Sequence, residues 1–205
     1  MEKEFRMRRA LLTAGPAVLA GCALNATGSP AEDISSKNLR SENIDSNVVR
    51  AAAALGQANQ PDVTFDAISH GLANTVGHKL FTVLIVNLST NRNQRYYSNQ
   101  PKAYPVGSSK PIVRTSEVFR HVVIGGKPRI LYNAEEVKKA NFDYEVIHSL
   151  GCDSEVNYPI SWNGQTIGTL NLLHEKNWYN EADLSTIGVF AALAVAPTLK
   201  IIGLS

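Results

Sequence analysis

Residues 149–174 read Ser149-Leu-Gly-Cys-Asp-Ser-Glu-Val-Asn-Tyr-Pro-Ile-Ser-Trp-Asn-Gly-Gln-Thr-Ile-Gly-Thr-Leu-Asn-Leu-Leu-His174. The Asn163-Gly164 pair suits a type I′ turn, in which both central residues take positive φ, so the stretch reads as a β-hairpin. After the turn, Gly168, Leu170, Leu172 and His174 alternate with Ile167, Thr169, Asn171 and Leu173. That period of two sets an aliphatic face against a core and sends Thr169 and Asn171 the other way. On the incoming strand, Glu155 and Asn157 alternate with Val156 and Tyr158. A sheet face that gathers two amides, a hydroxyl and a carboxylate is either solvated or the floor of a pocket.

Outward from the hairpin, Leu80 to Leu88 is the strongest other strand. Its branched, near-continuous apolar run predicts a central strand covered on both faces. Asn91-Arg92-Asn93 turns it into a partner at Gln94–Ser98. Helical periodicity runs from Ser46, a plausible N-cap, through Leu55, and again from Asp62 to Val76, where Gly77 stops it. Residues 99–110 read as loop, and Ser116–Val123 as helix. Arg129–Tyr132 reads as a short strand, Glu135–Ala140 and Tyr144–Leu150 as short helices. Glu181–Lys200 reads as one long helix disturbed near Pro197. Strands gathered around a helix-rich insertion predict an α+β domain with a mainly antiparallel sheet.

The N-terminus differs in character. Lys3, Arg6, Arg8 and Arg9 precede an uncharged run that ends Leu19-Ala20-Gly21-Cys22. A basic segment, a short apolar segment and small residues before a cut site make an export signal over residues 1–21. Arg8-Arg9-Ala10-Leu11-Leu12 resembles a twin-arginine signal, and Leu19 to Cys22 resembles a bacterial lipobox. That likeness implies acylation at Cys22 and a cell-envelope lipoprotein, attached to the membrane only through its lipid. An over-long open reading frame, with a cytoplasmic protein, is the alternative. Residues 22–45, rich in Ser, Asn and charge, read as a flexible linker, and residues 46–205 as the domain. The chain carries a formal charge of +2, with 20 basic and 18 acidic side chains. The leader holds four of the former and two of the latter, so the remainder is neutral and has no basic stripe for nucleic acid.

The Leu80–Leu88 strand, its Gln94–Ser98 partner, Gly151-Cys152-Asp153-Ser154, Asn157-Tyr158-Pro159-Ile160, Asn163-Gly164 and Ile167-Gly-Thr-Leu-Asn-Leu-Leu173 together resemble a GAF domain, across roughly residues 46–199. The closest likeness is to small stand-alone bacterial GAF proteins. The resemblance implies an antiparallel sheet with terminal helices packed on one face and a small-molecule pocket on the other, roofed by loops and short helices. The alternation agrees, since the insertion 98–150 is the segment available to cover the polar face. Candidates for lining the pocket are Tyr97, Tyr104, Arg120, Cys152, Asp153, Ser154, Asn157, Thr169 and Asn171. The expected function is binding a small polar molecule in a sensory module with no fused output domain and no cofactor. The resemblance also implies a homodimer through the first and last helices, whose apolar faces exceed what one sheet face needs. A purely structural dimerisation module is a further alternative.

Cys152-Asp153-Ser154 resembles a segment of the free methionine-R-sulfoxide reductases, themselves GAF proteins. On that likeness Cys152 is the nucleophile and Asp153 or Glu155 the acid. Two features depart from it: fewer residues separate the segment from the next strand, and no resolving thiol remains in the domain. The plainer reading of Cys152 is a small buried hydrophobe at a helix-to-strand corner. His70, His78, His121, His148 and His174 form no metal-binding spacing. Tyr96 and Tyr97, being adjacent on a strand, should point to opposite faces.

Overall fold

The computed structural model describes residues 44–203. The leader, Cys22 and all of the linker up to residue 43 lie outside the described residues. Helix α1 spans Ile44–Ala54 and begins two residues ahead of the expected cap at Ser46; α2 spans Asp62–Thr75. Strands β1 (Leu80–Asn87), β2 (Arg92–Ser98), β3 (Ser109–Pro111), β4 (Arg129–Leu131), β5 (Ser154–Trp162) and β6 (Gln165–His174) follow. Between β4 and β5 lie α3 (Ala134–Ala140) and α4 (Tyr144–Ser149); α5 (Asp183–Leu193) and α6 (Val195–Ile202) close the chain. The strands form one antiparallel sheet in the order β3-β2-β1-β6-β5-β4.

The β5–β6 hairpin turns at Asn163 (φ 49°) and Gly164 (φ 75°), with Trp162 paired to Gln165 as a two-residue turn requires. Strands β1 and β6 occupy the middle of the sheet. In β6 the alternation sends Leu170 and Leu172 to the core and Thr169 and Asn171 to the other face as the sequence predicts, but Ile167, expected beside Thr169, joins the core. Phe81, Val83 and Ile85 of β1, Val156 and Ile160 of β5, and Leu170 and Leu172 of β6 join Phe65, Ile68 and Leu72 of α2 and Ile187 and Phe190 of α5 in the main core. The opposite face receives Thr82, Leu84, Glu155, Asn157, Thr169 and Asn171.

Three elements depart from the sequence reading. The long C-terminal helix is two helices bent by 44°. Pro197 has no N–H for the carbonyl of Leu193, four residues earlier, and its ring crowds that carbonyl. Residues 119–124 form a π-helical turn, in which the amide of Gly125 donates to the carbonyl of Arg120 at 3.0 Å. A three-residue strand, β3, overlaps the end of the stretch read as loop and pairs with Arg92–Gln94. Among the described residues no single helix is long and apolar enough to cross a membrane.

Strand β2 carries the most consequential irregularity. Val83 opposes Tyr97 but Leu84 opposes Arg95, so Tyr96 is an extra residue, a β-bulge. Tyr96 and Tyr97 therefore both pack against the helix-side core, contrary to the expectation that they point to opposite faces.

Candidate ligand pocket

The insertion between β2 and β5 arches over the free face of the sheet and leaves a partly open cavity of about 200 Å³ between them. Its walls are apolar: Leu80, Leu84, Val86, Ile112, Phe119, Val123, Ile147 and Leu173. Phe119 and Val123, four residues apart on the π-helical turn, bury against Ile112. Helix α3 is fixed over the other end by its cap, in which Asn133 Oδ1 accepts from the amide of Glu136 and Glu136 Oε2 accepts from the amide of Tyr132. Phe142, in the link from α3 to α4, stands at the mouth with 84% of its surface exposed.

The floor is a chain of buried polar groups. Arg129, 8% exposed, donates through Nε and Nη2 to Asn157 Oδ1 at 3.0 and 2.6 Å. Asn157 Nδ2 donates to Glu155 Oε1 at 2.6 Å and to Asn171 Oδ1 at 2.9 Å. Asn141 Nδ2 donates to Glu155 Oε2 at 2.7 Å. Asn171 Nδ2 in turn reaches the hydroxyls of Thr82 and Thr169 at 3.3 and 3.2 Å. One amide thus separates a buried guanidinium from a buried carboxylate. Arg129 has one ion pair, at 3.6 Å to the exposed Glu117. Buried charges need such hydrogen bonding to offset lost hydration.

A second recess of about 180 Å³ adjoins the first and shares Leu84, Asn93, Arg95, Lys110, Phe142 and Asp143 with it. There Arg95 Nη1 donates to Ser108 Oγ at 2.6 Å and to the Pro105 carbonyl at 3.2 Å, and its guanidinium lies 4.4 Å over the Tyr104 ring. The Tyr104 hydroxyl donates to Asp143 Oδ2 at 2.8 Å. Burial, and then the negative charge of Asp143, hold the Tyr104 hydroxyl well above its ordinary pKa.

Of the nine candidate lining residues, the structure brings Tyr104, Asn157, Thr169 and Asn171 to the cavity. The other five lie elsewhere. Tyr97 is on the helix side, its ring 6.0 Å from Phe65 and 5.7 Å from Phe81, because the bulge at Tyr96 shifts the strand's phase. Burial pushes its hydroxyl up to about 12. Arg120 is exposed on the outer side of the π-helical turn, since its apolar neighbours Phe119, Val122 and Val123 take the interior. Asp153 lies outside the cavity, where its Oδ1 meets His148 Nδ1 at 2.9 Å and the Tyr144 hydroxyl at 3.0 Å. Ser154 is buried and donates to the carbonyl of Glu175 at 2.6 Å.

Cys152 is fully buried among Leu80, Tyr104, Leu131, Val137, Ile147 and Leu173, and is absent from the cavity wall. Burial pushes its thiol up to about 11, against the pull of Lys79. The nucleophilic role needs a thiolate at the substrate; here the thiol is buried behind the cavity wall, and that burial disfavours its ionised form. It is the one cysteine among the described residues. No group of three or more His, Cys, Asp or Glu side chains among those residues is placed to hold a metal ion.

Arg129, Arg95, Asp143, Asn93 and Asn141 also line the cavity, although no local pattern marks them, and Glu155, on the face that the alternation predicts, lines it as well. Arg129 had a signal: pairing the strand at 129–131 against 155–157 puts Arg129 opposite Asn157.

No family model matches the chain, and no curated protein matches it in sequence. Solved structures do match in shape. The GAF domain of a phosphoenolpyruvate-protein phosphotransferase from Acinetobacter superposes with a TM-score of 0.62 at 12% identity, covering 78% of this chain and 95% of that one. The phycocyanobilin-bound GAF domain of a cyanobacterial phytochrome gives 0.60 at 17%, covering 78% and 97%. A free methionine-R-sulfoxide reductase from Neisseria meningitidis, in complex with its substrate, gives 0.58 at 14%, covering 86% and 95%. The described chain is therefore an α+β domain with the GAF fold. At these identities the likeness establishes the fold alone.

Proposed function

We propose that this protein is a small-molecule-binding module whose ligand sits between the sheet and the insertion. The observation that carries this reading is the partly open cavity itself, with apolar walls over a floor of convergent buried polar groups, the composition of a ligand site. Its volume lies below the roughly 300–1,000 Å³ of drug-sized sites, which favours a metabolite of amino-acid or sugar size over a linear tetrapyrrole. Burial of Cys152 away from the cavity weighs against sulfoxide reduction. That alternative predicts dithiothreitol-dependent consumption of free methionine-R-sulfoxide, and we expect none. If the leader is processed at Cys22, the pocket samples solutes outside the cytoplasm; intact mass of the natively expressed protein tests this.

The binding reading is tested by thermal unfolding across a panel of nucleotides, amino acids, sugars and organic acids. A ligand at about 100 times its Kd adds about 2.7 kcal/mol. For a chain of this size that raises Tm by roughly 5–10 °C. Leu84→Trp, which fills the space shared by both recesses, should abolish the shift. A panel that leaves the wild-type Tm unchanged would count against the module.

A further inference from the structure

Arg129 lines the cavity and is more than nine-tenths buried, yet its guanidinium is only partly used. Nε and Nη2 both donate to Asn157 Oδ1. Among the described residues Nη1 makes no hydrogen bond, and its one carboxylate neighbour, Glu117 Oε2, stands 3.6 Å away. Nη1 is not sealed either. The sealed side-chain atoms without a partner are Asn93 Oδ1, Arg95 Nε, Asp143 Oδ1 and Thr198 Oγ1, so an unbonded Nη1 meets accessible space. A guanidinium presents its N–H groups as a planar fork that matches a carboxylate. One edge of that fork is spoken for by Asn157, and the other is open.

The remaining charges of the wall fix the sign and size of what fits there. Glu155 accepts from Asn157 on one oxygen and from Asn141 on the other, and Asp143 accepts from the Tyr104 hydroxyl. Against these two carboxylates the lining sets three cations, Arg95, Lys110 and Arg129, a balance of +1. Uncompensated charge is costly beside apolar walls, so a single negative charge suits this cavity better than none or two.

Glu117 is the group that such a ligand must outcompete. It lies between Ser116 and Val118 of the roof, which both line the cavity, and its side chain is exposed. An exposed carboxylate at that distance contributes little. A ligand carboxylate shielded from water and bonded through two parallel N–H groups gains more.

The geometry points to a monocarboxylate with an apolar body as the ligand, its carboxylate taking the open edge of Arg129 in competition with Glu117 and its body lying against Leu84, Ile112, Phe119 and Leu173. This inference rests on the ligand-binding reading above and names the ligand class for the same site.

Calorimetric titration of the full chain at neutral pH with 4-methylpentanoate and 3-phenylpropanoate tests it, alongside their carboxamides, which keep the shape and lack the charge. At least one acid should bind roughly tenfold or more tightly than its own amide. Glu117→Gln removes the competing charge at an exposed position, and should tighten the acid by about twofold or more while leaving the amide unchanged. Arg129→Gln should erase the preference for the acid. The comparison of acid with amide and the Glu117→Gln titration stand even if Arg129→Gln fails to fold. Equal binding of acid and amide overturns the assignment, as does an acid preference that Glu117→Gln leaves unchanged or that Arg129→Gln retains. So does failure of all four compounds while another metabolite of the panel raises Tm, an outcome that leaves the pocket reading intact. Silence of every compound, panel included, overturns both.

Discussion

Replacing Asn157 by leucine removes the amide that stands between Arg129 and Glu155 while keeping the side chain's branching and number of heavy atoms. The guanidinium loses both bonds to Asn157 Oδ1, and Glu155 keeps only Asn141. Hydrogen bonds to charged groups contribute about 1.5–3 kcal/mol each. Stripping a buried charge of its partner costs about 3–5 kcal/mol. Arg129 retains only the loose contact with Glu117, so the cost should fall near 3–5 kcal/mol, a drop in Tm of roughly 6–20 °C. Urea unfolding of wild type and Asn157→Leu measures it directly. Adding Arg129→Met should restore part of the loss, because the stranded charge is gone, with a coupling of about 1 kcal/mol or more between the two sites. A loss below about 1 kcal/mol for Asn157→Leu would show that Arg129 reaches water, and would falsify the account of a buried polar floor.

Other consequences are measurable. Because burial raises the Cys152 thiol from 9.0 to about 11, its contribution is fully present below pH 9 and is lost as pH climbs toward 11. Chemical unfolding between those pH values should show a steeper decline in wild type than in Cys152→Ala, and equal slopes would refute the burial argument. Ellman's reagent at pH 8 should label Cys152 only as fast as the protein opens; labelling at the rate of a free thiol would contradict this. Burial lowers the pKa of His78, whose Nε2 lies 2.9 Å from the Ser69 carbonyl, so stability should fall as pH drops below about 6.5, where the unfolded chain takes up a proton first. A His78→Asn variant whose urea midpoint falls as steeply between pH 7 and 5 would assign that loss elsewhere. A Cβ at Gly168 would sit 2.8 Å from the Leu84 carbonyl, so Gly168→Ala must push β1 and β6 apart, at about 1–3 kcal/mol. An unchanged unfolding midpoint would disprove that close approach.

The hairpin was legible because its signals are local: two residues that accept positive φ, and an alternation that burial on one face enforces. The same alternation placed Glu155, Asn157, Thr169 and Asn171 on the cavity face. Arg120 was misplaced because helical phase within an irregular turn depends on which neighbours are larger and more apolar, here Phe119 and Val123. Strand β3 was hidden for a different reason. Its three residues, Ser109–Pro111, carry no strand propensity and owe their conformation to pairing with β2. Asp153 and Ser154 precede the part of β5 that faces the cavity, and their partners, His148 and the carbonyl of Glu175, come from outside the hairpin's own pattern. Asn93 and Asp143 both line the cavity from fifty positions apart, a proximity no local pattern encodes.

The bulge at Tyr96 has a consequence for how this domain is compared with others. Arg95 and Tyr97 are two positions apart, which in a regular strand gives them one face, yet they serve opposite faces here. Removing Tyr96 would leave them adjacent and still on opposite sides, so this is the length change the strand can absorb without moving either side chain. A correct superposition of β2 on an unbulged counterpart therefore places its gap inside a strand, where residue-by-residue matching penalises gaps most. Against a strand of that kind, residue-by-residue matching would count the two β2 strands as one out of step although their side chains face the same ways.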